Sequence, residues 1–578
     1  MQRPIEESLP AIPRRSRRVQ AAGAFLAYVA SSLLLFGLPT LGDPARTMVG
    51  FGTDPGVFVW QFAWWPHAIS NGMNPFVTDA VWAPVGYNLA HATSLPAATL
   101  LAWPITALLG PVVAYNSVAL LAPALSGLGA YLLCRYVSGA FWPSLAGGAV
   151  FGFSPYIAGH MLGHPNLTLV FAVPLAVLLV LRLIHGAISV AWFVLRLALV
   201  LVVQFLISLE VFATATLFGW GALVLAYLLL DGERRRKLLT VARLAAGAYG
   251  VAAAVVSPYL YHFFFAGGAP ESPIYDFYPS FYSNDLLNFA VPTAITRLGS
   301  GEFAEVAARF TGNISEQVAY AGLPLILVAV LFARTWWRRP AGKLLLVSLV
   351  AAAVASLGPA LKIGGTETIP LPWALIRHLP LVGFALPGRT MAFGFLILAV
   401  ILALWLSDPH VKTRPKWILS SLTLVALLPA SSTLWSTKVD TPPFFSSGIH
   451  RRYLIEGETT LVLPYGSNGN SMLWQAEAGI SFRMAEGYLG VVPPERFAAW
   501  PIVGDLYSGQ LTPGYEEELK KFLGGNHVRT VIVDERAAGP WEQLLAPLGV
   551  APRRVGGVVL YRVPQAVRTA YAAATPTS

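Results

Sequence analysis

Apolar runs close to twenty residues long recur along the first three quarters of the chain, separated by short basic clusters. A helix that crosses a bilayer needs about 20 consecutive apolar residues. This pattern confines the chain to a membrane-spanning, all-α bundle. Composition points the same way, since 55% of the 578 residues are hydrophobic and only 12% are charged. Soluble domains carry roughly twice that charged share. The net charge of +10 does not indicate nucleic acid, because the basic residues sit between apolar runs, as in Arg234 to Lys237. There they set orientation in the membrane. Cys134 is the only cysteine, which excludes a disulfide framework and a cysteine metal site.

The basic clusters order the topology. Arg14, Arg15, Arg17 and Arg18 precede an apolar run from Ala21 to Leu38 with no clear cleavage site, which predicts a retained first helix. Spans are expected near 20–38, 113–134, 142–160, 166–184, 188–208, 211–230, 241–263, 318–336, 344–361, 391–407 and 417–435, about eleven helices. With the clusters and the N-terminus on the cytoplasmic side, the loops 39–96, 266–317 and 362–390 fall outside, together with Glu210 and everything past Ser436. The short apolar segment from Ala97 to Gly110, which holds Pro104, is expected to be re-entrant or interfacial, the alternative being a pair of short helices.

Two domains are expected. Residues 1–435 form the transmembrane domain with its long first outer loop, 39–96, and residues 436–578 form a small extracytoplasmic α/β domain. In the latter, β-type runs at 459–463, 528–533 and 557–563 alternate with helical patterns near 471–478 and 515–522. No internal repeat is visible. Gly267-Gly268 and Gly364-Gly365 lack the lysine and helix of a phosphate loop.

The first outer loop is richer than a connector requires. Asp54 precedes Pro55, which suits a helix N-cap and first helical position. Phe58, Trp60, Phe62, Trp64 and Trp65 would give that helix an aromatic face at the membrane surface. Asn74-Pro75-Phe76 and the stretch Trp82, Pro84, Gly86, Leu89 follow.

Asp-Pro after the first span, the spaced tryptophans, Asn-Pro-Phe and Pro-x-Gly-x-x-Leu together resemble the first outer loop of bacterial GT-C glycosyltransferases. These are polytopic enzymes that use sugars linked to polyprenyl phosphate. Phe153 to Tyr156 with His160 and His164, Leu357 to Pro359, and Leu386 to Arg389 are further similar segments. The resemblance implies a GT-C-like bundle and a sugar transferase, hexosyl or pentosyl, acting at the outer face with inversion. It also implies a loop carboxylate that takes the acceptor proton as lipid phosphate leaves. Asp54 is the matching position, and its alternative is a plain helix cap. Asp43, also before a proline, is the rival base.

A leaving lipid phosphate needs cationic donors. Arg389, at the outer start of a span, with Arg377 and His378 in the same loop, are the candidates. Headgroup snorkelling is the alternative for Arg389. His160 and His164 are spaced i, i+4 and could line the site or hold a metal, but no acidic cluster of metal-ligand spacing supports one. Glu210, between two apolar spans, is a candidate site-lining acid or a turn marker. No cofactor is implied. The expected partners are a polyprenyl-phosphate sugar and a glycan, lipid or protein acceptor, with no nucleic acid. The competing readings are a transporter or flippase of a lipid-linked sugar, which should show repeated halves, and a non-catalytic membrane assembly protein.

Overall fold

The structure, a computed structural model, describes residues 14–267, 274–376, 378, 385–431, 433–490 and 493–576. Among them, seven helices have the length and apolarity to cross a bilayer: Ser16–Gly42, Pro111–Ser138, Pro165–Ile184, Val190–Ile207, Leu209–Leu229, Gly232–Val255 and Pro387–Ser407. Two apolar helices, Gly322–Trp336 and Pro340–Ser356, are shorter. The protein is a multi-pass membrane protein, and among the described residues not every one of the eleven expected spans is a single long helix.

The difference has local causes. The expected span 142–160 is a helix Phe141–Gly152 followed by a separate one, Pro155–His160. Ser154 breaks it by capping the second helix, its hydroxyl accepting from the Ile157 N–H at 3.3 Å, with Pro155 at the first helical position. The run 241–263 is interrupted where Pro258 opens Ser257–Phe265, and 417–435 shortens to Thr413–Ala426. The segment 97–110 is a pair of short helices, Pro96–Leu101 and Trp103–Leu109.

The chain separates into two compact units, each built from distant stretches. The first comprises 1–39, 119–255 and 273–435. Its helix Met391–Ser407 is apolar and buried on nearly every side, packed by Phe141–Gly152, Gly322–Trp336 and Pro340–Ser356. Only a helix wrapped by others keeps so uniform an apolar surface. A second contact sets Ala245, Ala248 and Ala252 against Phe193, Leu197 and Leu201. Small residues on one helix there let large ones on its neighbour fill the gap.

The second unit comprises 40–118, 256–272 and 436–578. Its sheet has five strands in the spatial order Arg553–Val555, Val558–Arg562, Thr530–Asp534, Thr459–Leu463, Arg483–Met484. The first two pairings are antiparallel, with Val559 opposite Val533. The last two pairings are parallel, with Leu461 opposite Val531 and Thr460 opposite Met484. A linear division at 435 therefore describes only part of the arrangement, because the first loop folds in one body with the tail. Thr47–Val49 even pairs as a strand with Ser436–Lys438.

The first loop's helix, Asp54–Ser70, corrects the expectation of an interfacial aromatic face. Trp60, Phe62 and Trp64 are fully buried, and Phe58 and Trp65 nearly so. Trp60 and Trp64 stack with ring centroids 5.4 Å apart. The helix packs on the tail helix Ser471–Glu477, and the Trp60 indole N–H donates to Gln475 Oε1 at 2.6 Å. The aromatic surface is satisfied by protein, which a reading of the loop by itself had no means to supply.

Candidate functional site

In the first unit the chain gathers a buried polar cluster from four separate segments. Ser154 and Pro155 start the helix that carries Tyr156 and His160 one turn apart. Gly159, between them, lies against the segment that carries Glu316. A Cβ there would sit 2.8 Å from the Ser315 carbonyl oxygen and 2.7 Å from the Val318 side chain, so only glycine permits the approach. Asn284 braces the same segment, its Oδ1 accepting from the Val318 N–H at 3.1 Å and its Nδ2 donating to the Gly388 carbonyl at 3.3 Å.

Arg389 stands at the centre. Its Nε donates to Glu316 Oε1 at 3.0 Å, Nη2 donates to the same oxygen at 2.5 Å, and Nη1 donates to Glu210. Glu210 also accepts from the Leu386 backbone N–H at 3.1 Å. His160 Nδ1 donates to the Tyr156 carbonyl at 2.7 Å, and its Nε2 lies 3.6 Å from Glu316 Oε2, beyond hydrogen-bond range. Burial alone would push the Glu316 carboxyl up, but the Arg389 guanidinium holds it well below the ordinary carboxylate range.

A guanidinium has five N–H donors. The bonds above occupy three, and the Arg389 side chain keeps 18% of its surface exposed. Among the described residues two donors therefore remain for an anion, although the two carboxylates outnumber the one cation. The structure thus brings together Arg389, Glu210 and His160, each singled out separately from sequence. The His164 ring lies 5.9 Å from that of His160 and nearly perpendicular to it. His378 is exposed in its turn, and Arg377 lies outside the described residues. Glu316 had not been singled out. Its one sequence signal is an acid a few residues ahead of an apolar helix. Among the described residues, no group of three His, Cys, Asp or Glu side chains has the arrangement to hold a metal ion.

In the second unit, Asp54 is the first residue of its helix and Thr53 occupies the cap position. This corrects the expected register by one residue. Asp54 Oδ1 accepts a hydrogen bond from the Tyr488 hydroxyl at 2.8 Å. The free N–H groups and dipole of the first helical turn favour its negative charge. Tyr115, fully buried, lies within electrostatic reach and donates its own hydroxyl to the Val49 carbonyl at 2.9 Å. Asp43, by contrast, is exposed in a turn. Tyr488 was not visible from sequence, lying 434 residues from its partner.

The fold is shared with known membrane enzymes. The mycobacterial arabinofuranosyltransferase AftD superposes with a TM-score of 0.58 at 16% identity, over 96% of this chain and 40% of that one. The oligosaccharyltransferase AglB from Archaeoglobus fulgidus, in complex with an inhibitory peptide and a dolichol-phosphate, superposes with a TM-score of 0.53 at 11% identity, over 90% of this chain and 70% of that one. The chain thus shares its fold with these two enzymes and spans 40% of the length of the mycobacterial one. It belongs to the family described as a domain of unknown function, DUF6311, which matches residues 25–428. No curated protein matches the sequence.

Proposed function

We propose that the chain transfers a sugar, with inversion, from a polyprenyl-phosphate donor to an acceptor hydroxyl at the outer face of the membrane, with Asp54 as general base. The observation that carries the reading is Asp54 itself, a half-buried carboxylate at a helix start, oriented by a phenol. Such a group has only to orient the attacking hydroxyl and accept its proton as the phosphate departs. The fold supports the class, since AftD is an arabinofuranosyltransferase and AglB was solved with a dolichol-phosphate, itself a polyprenyl phosphate. Arg389 is assigned to the donor phosphate through its two uncommitted N–H groups, held in place by Glu210 and Glu316.

The test is turnover. Purified protein in lipid nanodiscs is given undecaprenyl-phosphate-linked hexoses and pentoses, and released undecaprenyl phosphate is measured. Asp54→Asn keeps the size and still accepts the Tyr488 hydrogen bond, yet it has lost the proton acceptor. Its rate should fall by about 10²- to 10⁴-fold, while Asp43→Asn stays close to wild type. Equal rates for Asp54→Asn and wild type would sink the assignment.

A further inference from the structure

We propose that Tyr488 is the positioning residue of the transfer reaction, a tail phenol that fixes the orientation and ionisation of Asp54; the inference rests on Asp54 being the base. The case begins with how the tyrosine is held. Strand Arg483–Met484 pairs with Thr459–Leu463, and the chain then runs on beside residues 80–83 of the first loop. Met484 N–H donates to the Ala80 carbonyl at 2.9 Å, Ala83 N–H to the Met484 carbonyl at 2.9 Å, and Trp82 N–H to the Glu486 carbonyl at 2.8 Å. Ala485 N–H donates to the Thr460 carbonyl at 2.8 Å on the other side.

Side chains complete the clamp. Glu486 is fully buried and its Oε2 accepts from the Gly466 N–H at 2.6 Å. Gly487 lies against the Trp82 indole so closely that a Cβ would meet Nε1 at 2.9 Å. Met484, Ala485 and Glu486 are thus anchored by hydrogen bonds, and Gly487 is packed against Trp82. A hydroxyl projected from so rigid a segment has a fixed position, and the atom it meets is Asp54 Oδ1.

The chemical consequence follows from elementary electrostatics. A phenol donating to a carboxylate stabilises the charged form, adding to the first-turn dipole. It also selects one carboxylate rotamer, which is what a base needs when its acceptor must be met in one geometry. Tyr488 touches no reacting atom in this scheme and acts through Asp54. Among the described residues, Tyr115, from the neighbouring helix, also lies within electrostatic reach of Asp54.

The experiment reads the proton on Asp54 directly. Full-length protein in nanodiscs is treated with a water-soluble carbodiimide, which modifies protonated carboxyls, across a pH series. The extent of modification at Asp54 is followed by peptide mass spectrometry. In Tyr488→Phe the labelling midpoint should move to higher pH by about one unit, and the acid limb of the turnover profile should move with it. A merely structural tyrosine would change yield or melting temperature and leave both midpoints in place. Identical midpoints in Tyr488→Phe and wild type overturn the proposal. A shifted midpoint alongside full turnover in Asp54→Asn removes the base, and the positioning role with it, so the two failures are distinguishable.

Discussion

Glu316 in the first unit and Glu486 in the second are both buried carboxylates, 3% and 0% exposed, yet the protein treats them in opposite ways. Glu316 meets Arg389 through two of its nitrogens and is held ionised. Among the described residues Glu486 forms no ion pair. Burial pushes its carboxyl up to about 8, and the Gly466 N–H only partly offsets this. Burial by itself does not decide the charge of a buried acid. A fixed counter-charge does. One unit has spent its cation on an ionic cluster, whereas the other keeps a neutral acid that donates or accepts like a buried amide.

Three variants break or sharpen that contrast. The largest effect is expected for Arg389→Gln, which strands two carboxylates without their cation. Breaking a buried pair from one side typically costs about 3–5 kcal/mol, so the thermal midpoint in detergent should fall sharply. An unchanged midpoint would mean that packing, not charge pairing, holds the cluster. Next comes Glu486→Gln, read against pH. The folded chain keeps the Glu486 proton to about pH 8, whereas the unfolded chain releases it near the ordinary carboxylate value. Between those limits the folded state binds more protons, so stability declines as pH rises. The slope has an upper bound of about 1.4 kcal/mol per pH unit. Glu486→Gln should flatten this decline and melt above wild type at pH 8. Parallel melting curves from pH 5 to 8 would show that Glu486 is ionised after all. Glu316 has the opposite sign, its stabilisation being full at neutral pH and lost only in strong acid.

The smallest effect is expected for Glu210→Gln. Its side chain is 20% exposed, so solvent screens its pairing with Arg389, and the stability change should stay within about 1 kcal/mol. Its value lies elsewhere. If Arg389 receives the donor phosphate, removing one competing carboxylate should tighten binding of undecaprenyl phosphate, measured by thermophoresis. Weaker binding would show that Glu210 acts by holding Arg389 in place, and unchanged binding would undercut the phosphate assignment.

Much of this was legible in the sequence one residue at a time. The apolar runs announced the helices, and Asp54, Glu210, His160 and Arg389 stood out as polar groups without a topological task. Their partners did not, because Arg389 lies 73 residues from Glu316 and 179 from Glu210. Periodicity carries no information across such distances. The aromatic helix was misplaced for the same reason. An amphipathic face beside a span reads as membrane-seeking unless something else covers it, and the cover arrives 415 residues later in the chain. Span lengths were overestimated where hydropathy runs on past a capping serine or a proline. The Ser154-Pro155 break was readable as a helix start and lay inside a run that hydropathy alone treats as continuous.

The pairing of Trp60 with Gln475 sets an order of assembly. At about 5–20 residues per second, the helix Asp54–Ser70 leaves the ribosome roughly 20–80 seconds before its tail partner does. Through that interval its tryptophans are without their final covering, and bilayer or chaperone must hold them. The sheet closes in the same late event, since strand Arg483–Met484 and loop residues 80–83 complete one another. A chain stopped near residue 435 would insert most of its helices and still leave an aromatic surface open to aggregation. Residues 436–578 therefore complete the burial of the first loop, and damage to them should be felt first as degradation in the membrane.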